Sequence, residues 1–186
     1  MGETLKKRNC LFLDYDDCLV HSLWAGSEKD ADNYLDIYGE HWRGEQFLLS
    51  NNERYITFLR NSTKEIIQMS RQLLGVKNVF ILSTGTNEYV RTSAEKLELG
   101  FSPERILGRE TLRKTNPHPD FLDTHNILVD NEFYSYHQGR EGKIEFLNYI
   151  PRENYIQVPP FSPYVPDDED DYAQWLTNLI VDKFNN

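Results

Sequence analysis

The hydrophobic positions of the chain fall into short, uninterrupted apolar runs that stop at polar residues. The first run covers Cys10 to Leu13, a second covers 78–83, and another covers 126–129. Runs of this length, bounded by polar residues and rich in β-branched and aromatic side chains, predict buried strands. A shorter run at 106–108 predicts a further strand, and 155–160, which closes on two prolines, predicts a strand at the sheet edge.

Residues 52–74, between the first and second runs, carry apolar side chains at helical spacing and predict a helix in two pieces. The second piece begins with Ser62 and Glu65, which have the spacing of a capping box. Gly75 is placed to end it. The expected apolar positions are Tyr55, Phe58, Leu59, Ile66, Ile67, Leu73 and Leu74.

Two later segments also have the spacing of amphipathic helices. The first covers 87–99, with Asn87 as its N-cap and Gly100 after its end. The second is the last helix, and the acids at 167–171 would lie favourably at its N-terminus. The expected buried positions are Val90, Ala94 and Leu97 in the first, and Tyr172, Trp175, Leu176, Leu179, Ile180 and Phe184 in the second.

Strands that alternate with helices predict an α/β fold with a parallel central sheet and right-handed crossovers. Residues 23–52 interrupt the alternation and predict a small β-rich insert of two or three short strands, with pieces at 34–38 and 46–49. We expect residues 1–186 to form a single domain.

The composition excludes several classes of protein. The net charge of −10 and the pI of about 5.0 argue against a general affinity for the nucleic-acid backbone, which needs a basic surface. An aromatic share of 13% is not that of a disordered chain. No apolar run approaches the ~20 residues of a membrane span, so we expect no membrane partner.

The two cysteines and the first residues bear on the cellular compartment. Cys10 and Cys18 lie at the two ends of the first predicted strand, too far apart for a disulfide if that strand is extended. Residues 1–9 are basic and lack the apolar segment of a secretory signal. We therefore expect a reducing, intracellular location, cytoplasmic or nuclear.

Acidic side chains follow the first predicted strand at once. Asp14 and Asp16 would lie at the carboxyl edge of the sheet, where open α/β sheets hold their ligands. Two carboxylates there suit a hard cation such as Mg²⁺, and they also suit a nucleophile paired with an acid/base. A solvated acidic turn after a strand is the alternative interpretation.

Two further strand ends carry polar groups. The second strand ends on Ser83, Thr84 and Gly85, where a hydroxyl and two backbone N–H groups could cradle an anion. The last core strand ends on Asp130 and Asn131. Ordinary turns explain each of these in isolation, but three strand ends bearing such groups in this order favour a site.

These stretches resemble motifs of a known superfamily. Residues 11–19, an apolar strand followed by D-x-D, resemble the first motif of the haloacid dehalogenase superfamily. The longer D-x-D-[D/E]-x-L-V-H-S at 14–22 is similar to the small phosphatases related to the NLI-interacting factor, which act on the tail of RNA polymerase II and other phosphoproteins. Cys18 stands where that branch has Thr. The resemblance implies a haloacid-dehalogenase-like, Rossmannoid parallel sheet flanked by helices, with an insert after the first strand.

The resemblance also implies roles for individual residues. Asp14 would be the nucleophile and Asp16 the general acid and base. Mg²⁺ would be held by Asp14, the backbone carbonyl of Asp16 and Asn131, with Asp130 close by. Ser83, with the backbone of the following two residues, would bind the phosphoryl oxygens.

The phosphate-binding cation is implied less directly. In the resembling family a lysine follows an R-E-[S/T] segment, and Lys114 follows 109–111 here. The hairpin that the family has between the two is almost missing, which leaves Lys114 and Arg113 as alternatives. Glu132 and Phe133 replace the Ser-Pro that usually follows the last motif.

The function implied is a Mg²⁺-dependent phosphatase that acts on a phosphorylated macromolecule, a phosphoserine or phosphothreonine protein, as a monomer. One alternative is a phosphatase of the same superfamily that acts on a nucleic-acid end or a small metabolite. A phospho-binding module without turnover is another. The aromatic residues of the insert are explained by ordinary packing or, alternatively, by a partly exposed wall that selects the substrate.

Overall fold

The computed structural model describes residues 10–113, 119–132, 150–164 and 171–185. In chain order its strands are β1 (Leu11–Asp14), β2 (Val20–Ala25), β3 (Arg43–Leu48), β4 (Arg54–Leu59), β5 (Val79–Leu82), β6 (Ile106–Leu107), β7 (Ile127–Asp130) and β8 (Tyr155–Gln157). Its α-helices are α1 (Glu28–Tyr38), α2 (Thr63–Leu74), α3 (Asn87–Lys96), α4 (Arg109–Leu112) and α5 (Tyr172–Asn185).

Several sequence predictions concern residues outside this described part of the chain. They are the basic lead-in at 1–9, the candidate cation Lys114, Phe133 and the acids at 167–170. Within the described residues, no helix is both long enough and apolar enough to cross a membrane.

The five predicted strands form one parallel sheet in the order β6-β5-β1-β7-β8. β1 lies at the centre because it pairs with β5 on one side and β7 on the other. β8 lies at an edge, as the prolines that follow it predict. The parallel α/β class is confirmed, and the carboxyl ends of β1, β5 and β7 lie side by side.

Both faces of this sheet are buried, which explains why its strands are apolar throughout. Leu11 and Leu13 point to one face, where α2, α3 and α5 contribute to the larger core cluster. Phe12 points to the other face and packs with Phe80 and Phe121 at ring-centroid distances of 5.4 Å.

The insert is built around a second, antiparallel sheet of order β2-β4-β3. The prediction of a helix over the first part of 52–74 is wrong, because Arg54–Leu59 is the central strand of this sheet. Successive side chains of this strand point to opposite faces of the sheet. The β-branched and aromatic residues of Tyr-Ile-Thr-Phe are typical of a strand that is paired on both edges. The sheet and α1 together occupy 20–59, a longer segment than the predicted 23–52.

The prediction of a strand at 34–38 is also wrong, because these residues end helix α1. Ser27 caps this helix by accepting a hydrogen bond from the backbone N–H of Asp30 at 3.2 Å. Ala31, Leu35 and Tyr38 recur at helical spacing and face the antiparallel sheet. The predicted strand at 46–49 is confirmed in the main, since Arg43–Leu48 is β3.

Helix α2 begins without the predicted capping box, since the Ser62 side chain makes no capping hydrogen bond. The Thr63 hydroxyl instead donates to the backbone carbonyl of Leu19 at 2.7 Å. Gly75 ends the helix with a φ of 82°, as expected. Leu73 is exposed, contrary to prediction, because it lies on the outer face of the last turn.

Two further predictions at helices need correction. Thr86, not Asn87, caps α3, because its side chain accepts from the backbone N–H of Tyr89. The helix also ends at Lys96, three residues before the predicted end. In α5, Trp175 is exposed, whereas Leu176 and Ile180 are buried as predicted.

Candidate active site

The chain turns sharply after β1, and this turn brings Asp16 back over the end of the parallel sheet. The backbone carbonyl of Tyr15 accepts hydrogen bonds from the N–H groups of Leu19 and Val20. Asp17 adopts a left-handed conformation with a φ of 58°. Asp14 and Asp16 are both partly exposed, at the carboxyl edge of the parallel sheet where the sequence predicted them.

Two hydroxyl groups hold the Asp16 carboxylate, one on each oxygen. Ser83 Oγ donates to Oδ2 and the Tyr89 hydroxyl donates to Oδ1, each at 2.5 Å. Withdrawal from water raises the pKa of Asp16, and the two hydrogen bonds oppose this rise without cancelling it. A carboxyl group of raised pKa at this position can exchange a proton with a ligand at the edge of the sheet.

Asp14 lies next to a buried acid, Asp130. Withdrawal from water raises the pKa of Asp14 well above its usual range, and the negative charges of Asp130 and then Asp16 raise it further. Asp130 is 1% exposed, and its Oδ1 accepts a hydrogen bond from the backbone N–H of Glu132 at 2.8 Å. Carboxylates so close together favour a cation between them.

The side-chain amide of Asn131 completes this group. One of its terminal atoms lies 3.2 Å from the backbone carbonyl of Asp16 and 3.2 Å from Asp14 Oδ2. Its neighbours favour nitrogen at that position, where the amide donates to both oxygens, and a cation bound between these groups would instead require the amide oxygen there, beside the other two oxygens. Oxygen donors converging in this way are the ligands that Mg²⁺ prefers, so the residues fit such an ion.

No group of three or more His, Cys, Asp or Glu side chains within the described residues could hold a metal ion. A cation at this point would therefore depend on the two carboxylates of Asp14 and Asp130 together with amide and backbone oxygens. The structure thus brings together all four residues predicted to hold the metal, although Asp16 contributes its main chain.

The predicted anion cradle lies at the end of β5. Ser83 is fully buried, and its Oγ accepts a hydrogen bond from the backbone N–H of Gly85 at 2.8 Å while it donates to Asp16. Thr84 is exposed at the rim. The Gly85 N–H is therefore directed at Ser83, not outwards as the sequence predicted, and a bound phosphoryl group would have to displace this contact.

Gly85 allows a close approach between the loop and helix α3. A Cβ atom at this position would lie 2.5 Å from Cδ1 of the Tyr89 ring and 3.1 Å from Ser83 Oγ. The absence of a side chain at Gly85 is thus what lets the tyrosine reach Asp16.

Two candidate cations are described near the loop. The Arg109 guanidinium donates from Nε to the backbone carbonyl of Thr84 at 2.7 Å, and the backbone N–H of Arg109 donates to Gly85. Arg113 is exposed, one turn further along. Lys114 lies outside the described residues, so Arg109, which the sequence did not single out, is the described cation anchored to the loop.

Sequence reasoning also missed a chain of hydroxyl groups behind Asp16. The Tyr89 hydroxyl lies 2.5 Å from Ser22 Oγ, and Ser22 Oγ lies 2.7 Å from Thr57 Oγ1. These residues come from α3, β2 and β4. Ser22 lies inside the first motif, but nothing in the spacing of Tyr89 or Thr57 indicates that they converge there.

Most aromatic residues of the insert pack in the interior, as the simpler interpretation predicted. Trp42 and Phe47 are buried, and Tyr38 packs edge-on against Phe58 at 5.5 Å. Trp24 is the exception, because 60% of it is exposed although it lies opposite Tyr55 in the antiparallel sheet. It shares a sheet face with Ser22, whose hydroxyl lies 2.5 Å from that of Tyr89.

The parallel sheet, its flanking helices and the antiparallel insert sheet form the haloacid-dehalogenase-like fold. No family model and no curated protein sequence matches the chain. Solved structures do match. One is fission yeast RNA polymerase II CTD phosphatase Fcp1 bound to beryllium fluoride, with 13% identity and a TM-score of 0.55 over 96% of this chain and 51% of that chain.

A second structure, described as that of Fcp1, an essential RNA polymerase II CTD phosphatase, shows 15% identity with the same coverage and TM-score. The chain therefore spans about half the length of these neighbours. At such identities the likeness establishes the fold, which is the fold that the motifs predicted.

Proposed function

We propose that this chain is a phosphatase that hydrolyses phosphomonoesters through a phosphorylated Asp14. The observation that carries the proposal is the meeting of Asp14, Asp16, Ser83, Asp130 and Asn131 at the carboxyl edge of the parallel sheet. The similarity to Fcp1 structures supports the reaction class, because those phosphatases share this fold.

The chemistry follows from the two aspartates. A carboxylate oxygen of Asp14 bonds to phosphorus while the bond from phosphorus to the leaving oxygen breaks, and Asp16 gives its proton to that oxygen. Asp16 then takes a proton from water as the water oxygen bonds to phosphorus and the Asp14 oxygen leaves. Phosphate is released and both aspartates return to their starting states.

The ion that fits best is Mg²⁺, held by Asp14, Asp130, Asn131 and the backbone carbonyl of Asp16. When bound, it would neutralise charge on the transferring group and between the carboxylates. Ser83 and the backbone N–H of Thr84 would bind phosphoryl oxygens, and the Gly85 N–H would join them once its hydrogen bond to Ser83 is displaced. Lys114, Arg113 or the anchored Arg109 would supply the positive charge opposite them.

The proposed substrate is a phosphorylated protein. The two structural neighbours are named as phosphatases of the RNA polymerase II CTD. Exposed Trp24, on the same face of the insert sheet as Ser22, would offer a surface for the side chains that flank a phosphoserine or phosphothreonine. The net charge of −10 disfavours a nucleic-acid substrate. We place the activity inside the cell, in keeping with two buried cysteines that remain thiols. We propose that the chain acts as a monomer.

Parallel assays of a phosphoserine peptide and a 3′-phosphorylated oligonucleotide, each with Mg²⁺ and with EDTA, test this proposal. We expect Mg²⁺-dependent phosphate release from the peptide, which Asp14→Asn abolishes. Release from the oligonucleotide alone would move the substrate to nucleic acid. A folded wild type that binds the phosphopeptide without any turnover would favour a binding module.

A further inference from the structure

The mechanism proposed above makes no use of Tyr89, although its hydroxyl touches the acid. Its side chain is 7% exposed and is packed between rings, with centroids 5.1 Å from Tyr55 and 6.1 Å from Phe47. The phenol oxygen nevertheless lies 2.5 Å from Asp16 Oδ1. A buried hydroxyl in a rigid aromatic setting can fix the position of the group to which it donates.

The direction of the hydrogen bonds along the hydroxyl chain follows from counting protons. The Tyr89 hydroxyl has a single proton, and an unprotonated carboxylate oxygen can only accept, so that proton goes to Asp16 Oδ1. The 2.5 Å contact with Ser22 is then a bond from Ser22 to the tyrosine oxygen. Thr57, 2.7 Å from Ser22, closes the chain within the insert sheet.

The two oxygens of Asp16 differ in what happens to them when a phosphoryl group arrives. Oδ2 is held by Ser83, which is also the hydroxyl proposed to bind a phosphoryl oxygen, so Ser83 has to release Oδ2. Oδ1 is held by Tyr89, which lies behind the carboxylate and has no such second task. Oδ1 accepts a hydrogen bond whether Asp16 is protonated on Oδ2 or not.

We infer that Tyr89 is a positioning residue that holds Asp16 by Oδ1 and so directs Oδ2, the oxygen that Ser83 releases, at the leaving oxygen. This inference rests on the proposed function and adds to it that Oδ2 is the oxygen of Asp16 that carries the proton for the leaving group. The insert takes part in the chemistry through Ser22 and Thr57, which fix the tyrosine.

Loss of the correct orientation of Asp16 slows hydrolysis only for esters whose leaving oxygen has to be protonated as it departs. A p-nitrophenolate ion leaves almost unaided, whereas phenolate and alkoxide ions do not. Loss of the Tyr89 hydroxyl should therefore reduce kcat for phenyl phosphate by about 10-fold or more, a part of the 10²–10⁴ that general acid catalysis supplies. For p-nitrophenyl phosphate we expect a change under about 3-fold, with KM little changed in both cases.

The test compares Tyr89→Phe with wild type across phenyl phosphates of graded leaving-group pKa. The matched control is Tyr15→Phe, which also removes a buried tyrosine hydroxyl, one that pairs with Ser93 Oγ at 2.7 Å and not with Asp16. We expect a steeper dependence of kcat on leaving-group pKa for Tyr89→Phe and the wild-type dependence for Tyr15→Phe.

Ser22→Ala provides a second variant, since it keeps Tyr89 but removes the hydroxyl that fixes the tyrosine. If Tyr89→Phe does not fold, the same series of esters measured with Ser22→Ala tests the inference. If the variant that folds slows the hydrolysis of all the esters equally, the dependence of its kcat on leaving-group pKa keeps the wild-type slope. That result would overturn the inference and leave the proposed function standing. A wild type that hydrolyses none of the esters or phosphopeptides would overturn both.

Discussion

Asp14 lies in surroundings that oppose its own charge. Burial, Asp130 and Asp16 all raise its pKa, so the folded state without metal holds the Asp14 proton more tightly than the unfolded chain does. The stability that this proton contributes is present below the ordinary value of 3.8 and is lost as the pH rises through the folded-state pKa. The group proposed to do the chemistry thus weakens the fold at neutral pH.

The first prediction concerns the stability that the fold loses at neutral pH through the charge on Asp14. In EDTA at pH 7, Asp14→Asn should be more stable than wild type by about 1 kcal/mol, a rise in Tm of about 2–4 °C, because a partly desolvated charge that Asp130 and Asp16 repel is removed. The increase should shrink as the pH is lowered. Exposed Asp36 is the matched control, since Asp36→Asn should change stability by less than about 0.5 kcal/mol. Destabilisation by Asp14→Asn at pH 7 would contradict the account.

The residues of the site divide into those that the sequence could indicate and those that it could not. Asp14, Asp16, Ser83, Asp130 and Asn131 follow buried strands, and parallel strands bring such positions to one edge. Tyr89 reaches Asp16, and Ser22 with Thr57 reaches Tyr89, only through the packing of α3 against the insert sheet. Contacts of that kind leave no periodic pattern in a single sequence.

At the scale of elements, the parallel strands were predictable because each is a continuous apolar run. The segment Arg54–Leu59 was not, since its apolar residues fit helical and strand spacing equally well and pairing with β2 and β3 decided between them. Helix α1 had a usable signal, Ser27 followed by acids in the first turn, but its few apolar residues hid the helical period.

The loop between β5 and α3 carries the second prediction. Gly85→Ala would place a methyl group 2.5 Å from the Tyr89 ring, so the loop or the ring has to move. A displacement of this size at a site that depends on position should lower kcat/KM by about 10-fold or more. Steady-state kinetics with a phosphopeptide, beside a thermal melt, would measure both effects. Wild-type kinetics in Gly85→Ala would show that the close approach has no role in the site.

At the scale of the whole molecule, buried Arg60 joins parts of the chain that are distant in sequence. It is 2% exposed, and its Nη1 donates to the backbone carbonyls of Cys18 at 3.3 Å and Pro159 at 3.2 Å. Its guanidinium carbon lies 3.8 Å from the centre of the Tyr172 ring in α5. The turn after β1, the segment after β8 and the last helix thus share one cation.

The third prediction tests this junction. Arg60→Met should lower the free energy of unfolding by about 3 kcal/mol, because hydrogen bonds to a charged group and the cation–π contact are lost together. Arg60→Lys keeps the charge without the planar fork and should lie between Arg60→Met and wild type. Denaturant titration measures both. A decrease in the free energy of unfolding below about 0.5 kcal/mol for Arg60→Met would contradict a stabilising role for the contacts of Arg60.

The central claim is that Asp14 becomes phosphorylated, and acid quenching during turnover tests it most directly. Wild type mixed with an excess of p-nitrophenyl phosphate and Mg²⁺, then quenched in acid, should carry one phosphoryl group that maps to Asp14 and is lost on treatment with hydroxylamine. The same treatment of Asp14→Asn should give unmodified protein. A wild type that turns over without any covalent phosphate, or that carries it on another residue, would contradict the account.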